Sequence, residues 1–199
     1  VGGRDPWAEM AQTVDWTDAK AKARAAFDLA ITSVLLDAGA GAGSLTAAFV
    51  SRCCENRDGV RAIEATLYEF DGEILDVLSE TMRECAHRCS DVGIRFTFTI
   101  HPADFIQEMS ARLSGDLFGT SPPAFDVAIA NPPYRKIGTD SAERRALRSV
   151  GVETSNLYTG FIALIQRLLV PGGQLVGITP RSFCNGPYFR PFREDFLSQ

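Results

Sequence analysis

Ser33-Val34-Leu35-Leu36-Asp37-Ala38-Gly39-Ala40-Gly41-Ala42-Gly43 is the stretch on which the fold turns. An apolar run ends in an acid, then glycines stand at alternate positions. Behind them, a helix predicted from about Ser44 carries Leu45, Ala48 and Phe49 inward. Glycines at a strand-to-helix junction let the backbone turn tightly and let a ligand come close. The same unit recurs on the way out. Strands are predicted over 63–70, 94–100, 125–130 and 174–179. Helices are predicted over 71–90, 105–113, 157–169 and 188–197. Ile74, Leu75, Leu78 and Met82 give the first of these its helical spacing. The stretch 114–123 reads as a Gly/Pro loop, and 135–154 as polar, charged and mobile. Residues 17–31 read as a helix, making 1–32 a helical lead-in to the unit at 33–199.

Strands alternating with helices imply an α/β fold, with a mainly parallel sheet and helices on both faces. Ligands of such sheets bind beyond the carboxyl ends of the strands. Asp37 to Gly43, Glu69, Asp104 and Asn131 to Tyr134 each close a predicted strand or lie just after it. Four strand ends on one rim weigh more than any single motif.

The bulk properties fit a globular domain. The chain has 199 residues, 45% hydrophobic and 23% charged, enough for one sizeable core. No apolar run is long enough for a bilayer, and the polar start lacks a signal-peptide layout, so the expected compartment is the cytoplasm. Five cysteines without secretory features suggest free thiols. Cys85-Ala86-His87-Arg88-Cys89 puts two thiols on one helix face but turns His87 away, so helix packing is expected there and no metal. Net charge is −5, unevenly spread. Residues 1–130 hold 11 basic and 20 acidic side chains, whereas residues 131–199 hold 9 and 5. The basic set is Arg135, Lys136, Arg144, Arg145, Arg148, Arg167, Arg181, Arg190 and Arg193. A solvated surface explains such a set as readily as a polyanion-binding edge.

Asp37, Ala38, Gly39, Gly41 and Gly43 form the first candidate binding segment. A pyrophosphate at the helix N-terminus is one reading. An acid before the glycines suits instead a ligand bearing an ammonium group, as S-adenosylmethionine does. Glu69 can accept from both hydroxyls of a ribose, with Phe70 beside it. Asp71 competes for that role, and either acid also suits a helix start. Asp104 can accept from an adenine amino group while Phe105 packs on the ring; an N-cap is the plainer role for Asp104.

Asn131-Pro132-Pro133-Tyr134 is the most specific signal. An amine on an aromatic ring is a poor nucleophile, because its lone pair is delocalised. The Asn131 side-chain carbonyl and the Pro132 main-chain carbonyl can accept its two N–H bonds and favour a pyramidal nitrogen. Proline fixes φ and removes competing donors, and Tyr134 offers a stacking surface. Asn131 lies close enough to the rim to serve the cofactor as well. An Asn-Pro turn after a strand is the bland alternative.

These segments resemble the class I, Rossmann-like amino-methyltransferases, and in particular the adenine-specific DNA methylases of restriction-modification systems. The glycine segment, Tyr68-Glu69, Ala103-Asp104 and the Asn-Pro-Pro-Tyr box carry the likeness. So do Ser155-Asn156-Leu157-Tyr158, Leu169-Val170-Pro171-Gly172-Gly173 and the stretch from Ile178 to Phe189. Cofactor motif before catalytic motif is the order of the gamma group. The resemblance implies S-adenosylmethionine as cofactor and double-stranded DNA with a flipped adenine as partner. It implies that residues 156–161 help line the cofactor pocket. It also implies a second aromatic contact to the base, for which Phe189 is the candidate and Tyr188 the second choice; both suit a helix-start core equally. Two departures stand out. The upstream Phe-Thr-Pro-like segment is not visible in 1–32. The chain also ends soon after the fifth strand, where the family continues with a reversed hairpin and a target-recognition domain, so a fragment is expected. Related boxes serve methyltransferases of protein glutamine and of RNA bases, and a cofactor-binding module inactive alone, or a hydride-transfer enzyme, are further readings.

Overall fold

The computed structural model describes residues 32–56, 59–115, 122–184 and 186–198. The helix expected over 17–31 and most of the loop expected over 114–123 lie outside the described residues. Five strands, β1 (Thr32–Ala38), β2 (Ala62–Tyr68), β3 (Arg95–His101), β4 (Phe125–Ala130) and β5 (Leu169–Gly177), form one sheet in the order β3-β2-β1-β4-β5. Every pairing is parallel. The order reverses between β1 and β4, which makes their carboxyl ends the switch point where such sheets open a crevice. Ala38 is level with Tyr68, and Tyr68 with His101, so the segments following β1, β2 and β3 leave the sheet side by side.

Alternation along β1 divides the core. Leu35 faces α1 (Ser44–Glu55) and α2 (Leu75–Asp91), among Phe49, Val50, Leu78, Met82, Val127 and Ile129. Leu36 faces α3 (Phe105–Leu113), α4 (Ala142–Ser149) and α5 (Leu157–Leu168), among Ile106, Met109, Leu147, Phe161 and Leu164. With both faces covered, β1 and β4 read as apolar runs. The edge strand β3 alternates instead, with Arg95, Thr97 and Thr99 outward.

Several boundaries differ from expectation, each for a local reason. On α1 it is Thr46, not Ala48, that turns inward with Phe49, and Ala48 is exposed. Helix α2 starts at Leu75 rather than 71, because side chains capture the intervening amides. Asp71 N–H donates to Glu69 Oε1, and Glu73 N–H to Asp71 Oδ1, which holds a turn open. Strand β5 starts at Leu169 rather than 174. Pro171-Gly172-Gly173 does not end the chain's approach to the sheet but forms a bulge inside the strand, between the pairs Phe125↔Leu169 and Val127↔Gln174.

The segment 135–154, expected to be mobile, contains α4. Ser141 Oγ caps it by accepting from Arg144 N–H, and Leu147 is fully buried. Leu147 packs so closely on α5 that a Cβ at Gly160 would come within 2.7 Å of its Cδ1. The last helix, α6 (Arg190–Ser198), follows 3-10 turns at Arg181–Cys184 and Pro187–Phe189.

Candidate active site

The loop after β1 is bound to the sheet before any ligand is considered. Gly39 and Ala40 both donate to Tyr68 O, at 3.0 and 2.9 Å, and Gly43 N–H closes the turn on Ala40 O. Gly39 and Gly41 adopt φ of 81° and 55°, and a Cβ at Gly41 would meet nothing within 4 Å. The loop is therefore open toward the rim at Gly41. Ala38, fully buried, contributes only through its backbone.

Asp37 is 1% exposed. Its Oδ2 accepts from Thr46 Oγ1 at 2.7 Å, while Oδ1 is buried with no partner. Burial raises its pKa from 3.8 to about 6, against the hydrogen bonds from Thr46, with a smaller push from the Glu69 charge. An orphaned, buried carboxylate oxygen costs free energy until a donor reaches it. An ammonium group, directly or through water, is the kind of donor that would repair it.

Glu69 folds over the glycine loop. Its Oε2 accepts from Gly41 N–H at 2.7 Å and its Oε1 from Asp71 N–H at 2.8 Å. A carboxylate has about four acceptor positions, so capacity remains for two hydroxyls. Asp71, the competitor, is exposed and engaged with Glu73. Asp104 caps α3 through Oδ1, accepting from Gln107 N–H at 3.0 Å. The plainer role is thus real, and it leaves acceptor capacity on the same carboxylate. Phe105 does not offer a free ring. It is 2% exposed, wedged between Tyr68 and Phe161 with ring centroids at 5.4 and 5.1 Å, because the first turn of α3 points it into the core. Phe70 is the exposed ring of this rim.

Beneath the acids lies a network that sequence reading missed. Tyr68 Oη donates to Glu108 Oε1, Arg112 pairs with the same oxygen at 2.7 Å, and His101 stacks on Tyr68 at 4.6 Å. Burial, then the Glu108 charge, pushes the Tyr68 phenol well above its ordinary range. The i, i+4 spacing of Glu108 and Arg112 was readable, but not their convergence on Tyr68.

Across the switch point, Ile178 N–H donates to Ala130 O, so Asn131 leaves β4 while the neighbouring chain is still held. Pro132 is buried, whereas Asn131, Pro133 and Tyr134 are exposed. The Tyr134 hydroxyl lies 2.7 Å from Asn131 Oδ1 and 2.8 Å from Ile178 O, and its one proton serves one of them at a time. Main-chain bonds from Ile137 to Ser155 O and from Leu157 to Arg135 O stitch this loop to the start of α5. Tyr158 is one of two aromatics, with Phe161, to which sequence reading gave no individual role within 156–161. Its ring stands edge-on to Tyr134 at 6.2 Å and lies 5.9 Å from Phe189. Phe189 is buried at 9% exposure, and Tyr158 is in ring contact with both it and Tyr134.

The basic set is less free than its count suggests. Arg135 pairs with Glu143 at 2.7 Å and holds that carboxyl down at about 2. Arg144 and Arg148 share Glu153. Arg167 pairs with Asp195, and Arg193, nearly buried, donates to Phe183 O and Gly186 O. Lys136 is exposed. Among the described residues, no group of His, Cys, Asp and Glu is arranged to hold a metal, and no helix is long and apolar enough to cross a membrane.

A solved structure from Listeria monocytogenes, described as a class I S-adenosylmethionine-dependent methyltransferase, matches 84% of this chain and 45% of its own. Its TM-score is 0.56 at 17% identity, which establishes the fold. The type II methyltransferase M.PstI of Providencia stuartii is 44% identical over 165 residues, and M.BsuBI of Bacillus subtilis 41% identical over 167. Each alignment covers 83% of this chain and 32% of the relative, so the chain spans about a third of the length of the curated relatives it matches. The model of the Eco57I restriction-modification methylase family matches residues 43–199, and the chain belongs to that family.

Proposed function

We propose that residues 33–199 are the catalytic unit of a methyltransferase that moves a methyl group from S-adenosylmethionine to the N6 amine of adenine in double-stranded DNA. The observation that carries this is the Asn131–Tyr134 box, at the end of β4 and across the switch point from the glycine loop and Asp37. The names of the relatives, type II and restriction-modification methyltransferases, favour DNA over a protein glutamine or an RNA base. Base readout would belong to residues outside this unit, since backbone contacts position without specifying.

When bound, S-adenosylmethionine supplies an electrophilic methyl group on a sulfonium. Asp37 Oδ1 receives the ammonium, Glu69 the ribose hydroxyls and Asp104 the adenine amine, with Phe70 as the ring beside them. Asn131 Oδ1 and Pro132 O accept the N–H bonds of the target amine and face the positive charge that develops there. The Tyr134 hydroxyl has Ile178 O as a second acceptor, so it can turn its proton there and leave Asn131 Oδ1 to the entering amine. The Tyr134 ring stacks on the base, backed by Tyr158 and Phe189. The base is out of the duplex, because its amine is otherwise paired and stacked. Methyl transfer by the whole protein to duplexes containing adenine, cytosine or no target amine tests the assignment. Methylation of a protein glutamine, with none of DNA, moves it to the rival class.

The shift at Asp37 gives a pH prediction. Its folded value lies above 3.8, so the protonated form stabilises the ligand-free protein below about pH 4, and that contribution is lost as pH rises through about 6. Binding of an ammonium-bearing ligand needs the carboxylate. Affinity therefore rises between pH 5 and about 6 and levels off above. Asp37→Asn removes this dependence and weakens binding by about 1–3 kcal/mol. Calorimetric titration of both forms from pH 5 to 7 checks it, and a flat wild-type profile refutes the role.

The ion pairs refine the DNA expectation. Arg135, Lys136, Arg144, Arg145 and Arg148 are proposed to line one DNA-facing edge. Each phosphate contact contributes about 0.9 to the slope of log affinity against log salt. Lys136→Ala should flatten that slope by about one contact. Arg148→Ala should do less, because Glu153 already holds that guanidinium. A salt titration on duplex DNA reads the difference, and equal slopes in all three proteins would remove this edge from the interface.

A further inference from the structure

Four of the five cysteines gather where the last turns of α1 and α2 meet. Cys53 and Cys54 lie on α1; Cys85 and Cys89 lie on α2. No cysteine is in a disulfide. Cys54 Sγ lies 3.9 Å from Cys89 Sγ and 3.8 Å from Arg88 O. The two environments differ. Cys89 is fully buried, whereas Cys54 is partly exposed. A thiol that solvent reaches, in contact with one that it does not, provides both an attacking and a resolving sulfur.

We propose that Cys54 and Cys89 are an oxidisable pair, closed to an intramolecular disulfide by a low-molecular-weight disulfide of the oxidised-glutathione type. The Cys54 thiolate attacks one sulfur of the reagent. The reagent's S–S bond breaks, one small thiolate leaves, and a mixed disulfide forms at Cys54. Cys89 gives its proton to solvent, attacks the Cys54 sulfur and expels the second small thiolate. The two protein thiols lose two electrons in all. The reagent gains them and departs as two small thiols. The sulfurs must close from 3.9 Å to about 2.05 Å. Burial, then its neighbouring thiols, holds the Cys89 thiol well above its ordinary value, so resolution is the slower step.

The bridge would tie the far ends of a helix pair whose near end carries the glycine loop. Gly43 packs there on Leu78 and Met82 of α2. A redox reagent acting on the helix ends would thereby stiffen the support of the loop.

The whole protein, incubated with oxidised glutathione, acid-quenched and weighed, should be lighter by two hydrogens. Digestion should yield a peptide joining Cys54 to Cys89, and dithiothreitol should restore the original mass. Cys54→Ser and Cys89→Ala should each abolish the link, while Cys53→Ser and Cys85→Ala should keep it. If Cys89→Ala does not fold, Cys54→Ser, at the partly exposed position, decides alone. A wild-type product that stops at glutathionylated Cys54, one that stays unmodified, or a link that survives Cys54→Ser, overturns the proposal.

Discussion

Asn131→Ala, made in the whole protein, is expected to lower kcat by about 100- to 1,000-fold while leaving S-adenosylmethionine affinity within about twofold. The side chain sits at the end of β4, and among the described residues its Oδ1 accepts from the Tyr134 hydroxyl. It contributes little to the core, so its removal should not unfold the domain. What disappears is an acceptor for an amine that becomes positively charged only as the methyl group arrives. Such an interaction is stronger in the transition state than in the ground state, and its loss falls on kcat rather than on binding. Asn131→Asp keeps an acceptor and should retain more activity than the alanine variant. Tyr134→Phe keeps the ring and should lose less than Tyr134→Ala. Single-turnover methylation with calorimetry of cofactor binding separates the effects. Wild-type turnover in Asn131→Ala would remove the box from the chemistry.

The same residues show what a sequence discloses and what it hides. The strand-glycine-helix unit, the parallel alternation and the rim of acids at strand ends are local or periodic, and each is where its pattern predicts. Departures arise where non-local contacts decide. Leu147 looks like one apolar residue in a charged segment until Gly160 of α5 comes close enough to bury it. Phe105 follows a candidate ligand acid, and only Tyr68 and Phe161, from other elements, reveal that its ring is core. Tyr158 joins Tyr134 to Phe189 through a packing that no spacing announces. Charge was the least legible property. The balance of residues 131–199 counts guanidiniums, but Glu143, Glu153 and Asp195 have already engaged four of them.

Gly43→Ala should be the most damaging change in the glycine loop, and it should act on stability rather than on the ligand. Gly43 has φ of 82°, and a Cβ there would lie 2.8 Å from Met82 Cε and 2.9 Å from Leu78 Cδ1. Left-handed backbone costs an alanine roughly 1–2 kcal/mol. Forcing a methyl group into that packed seam adds about 1–3 kcal/mol. A loss of about 2–5 kcal/mol is a large part of a typical margin of about 5–15 kcal/mol. For a domain of this size it corresponds to a fall in Tm on the order of 5–20 °C. Gly41→Ala supplies the contrast. Its φ of 55° brings the same kind of strain, but its Cβ meets no protein atom within 4 Å. The cost in stability should be nearer 1–2 kcal/mol, with the new methyl group facing the side where a ligand approaches. Leu78→Ala clears one side of the seam, so Gly43→Ala should cost less in that background than in the wild type. Neighbours that share a contact couple in this way, whereas distant sites add. Thermal melting of the two single variants and the double variant decides it. Additive losses would show that Gly43 is required for its backbone angle alone, and not for the approach of α1 to α2.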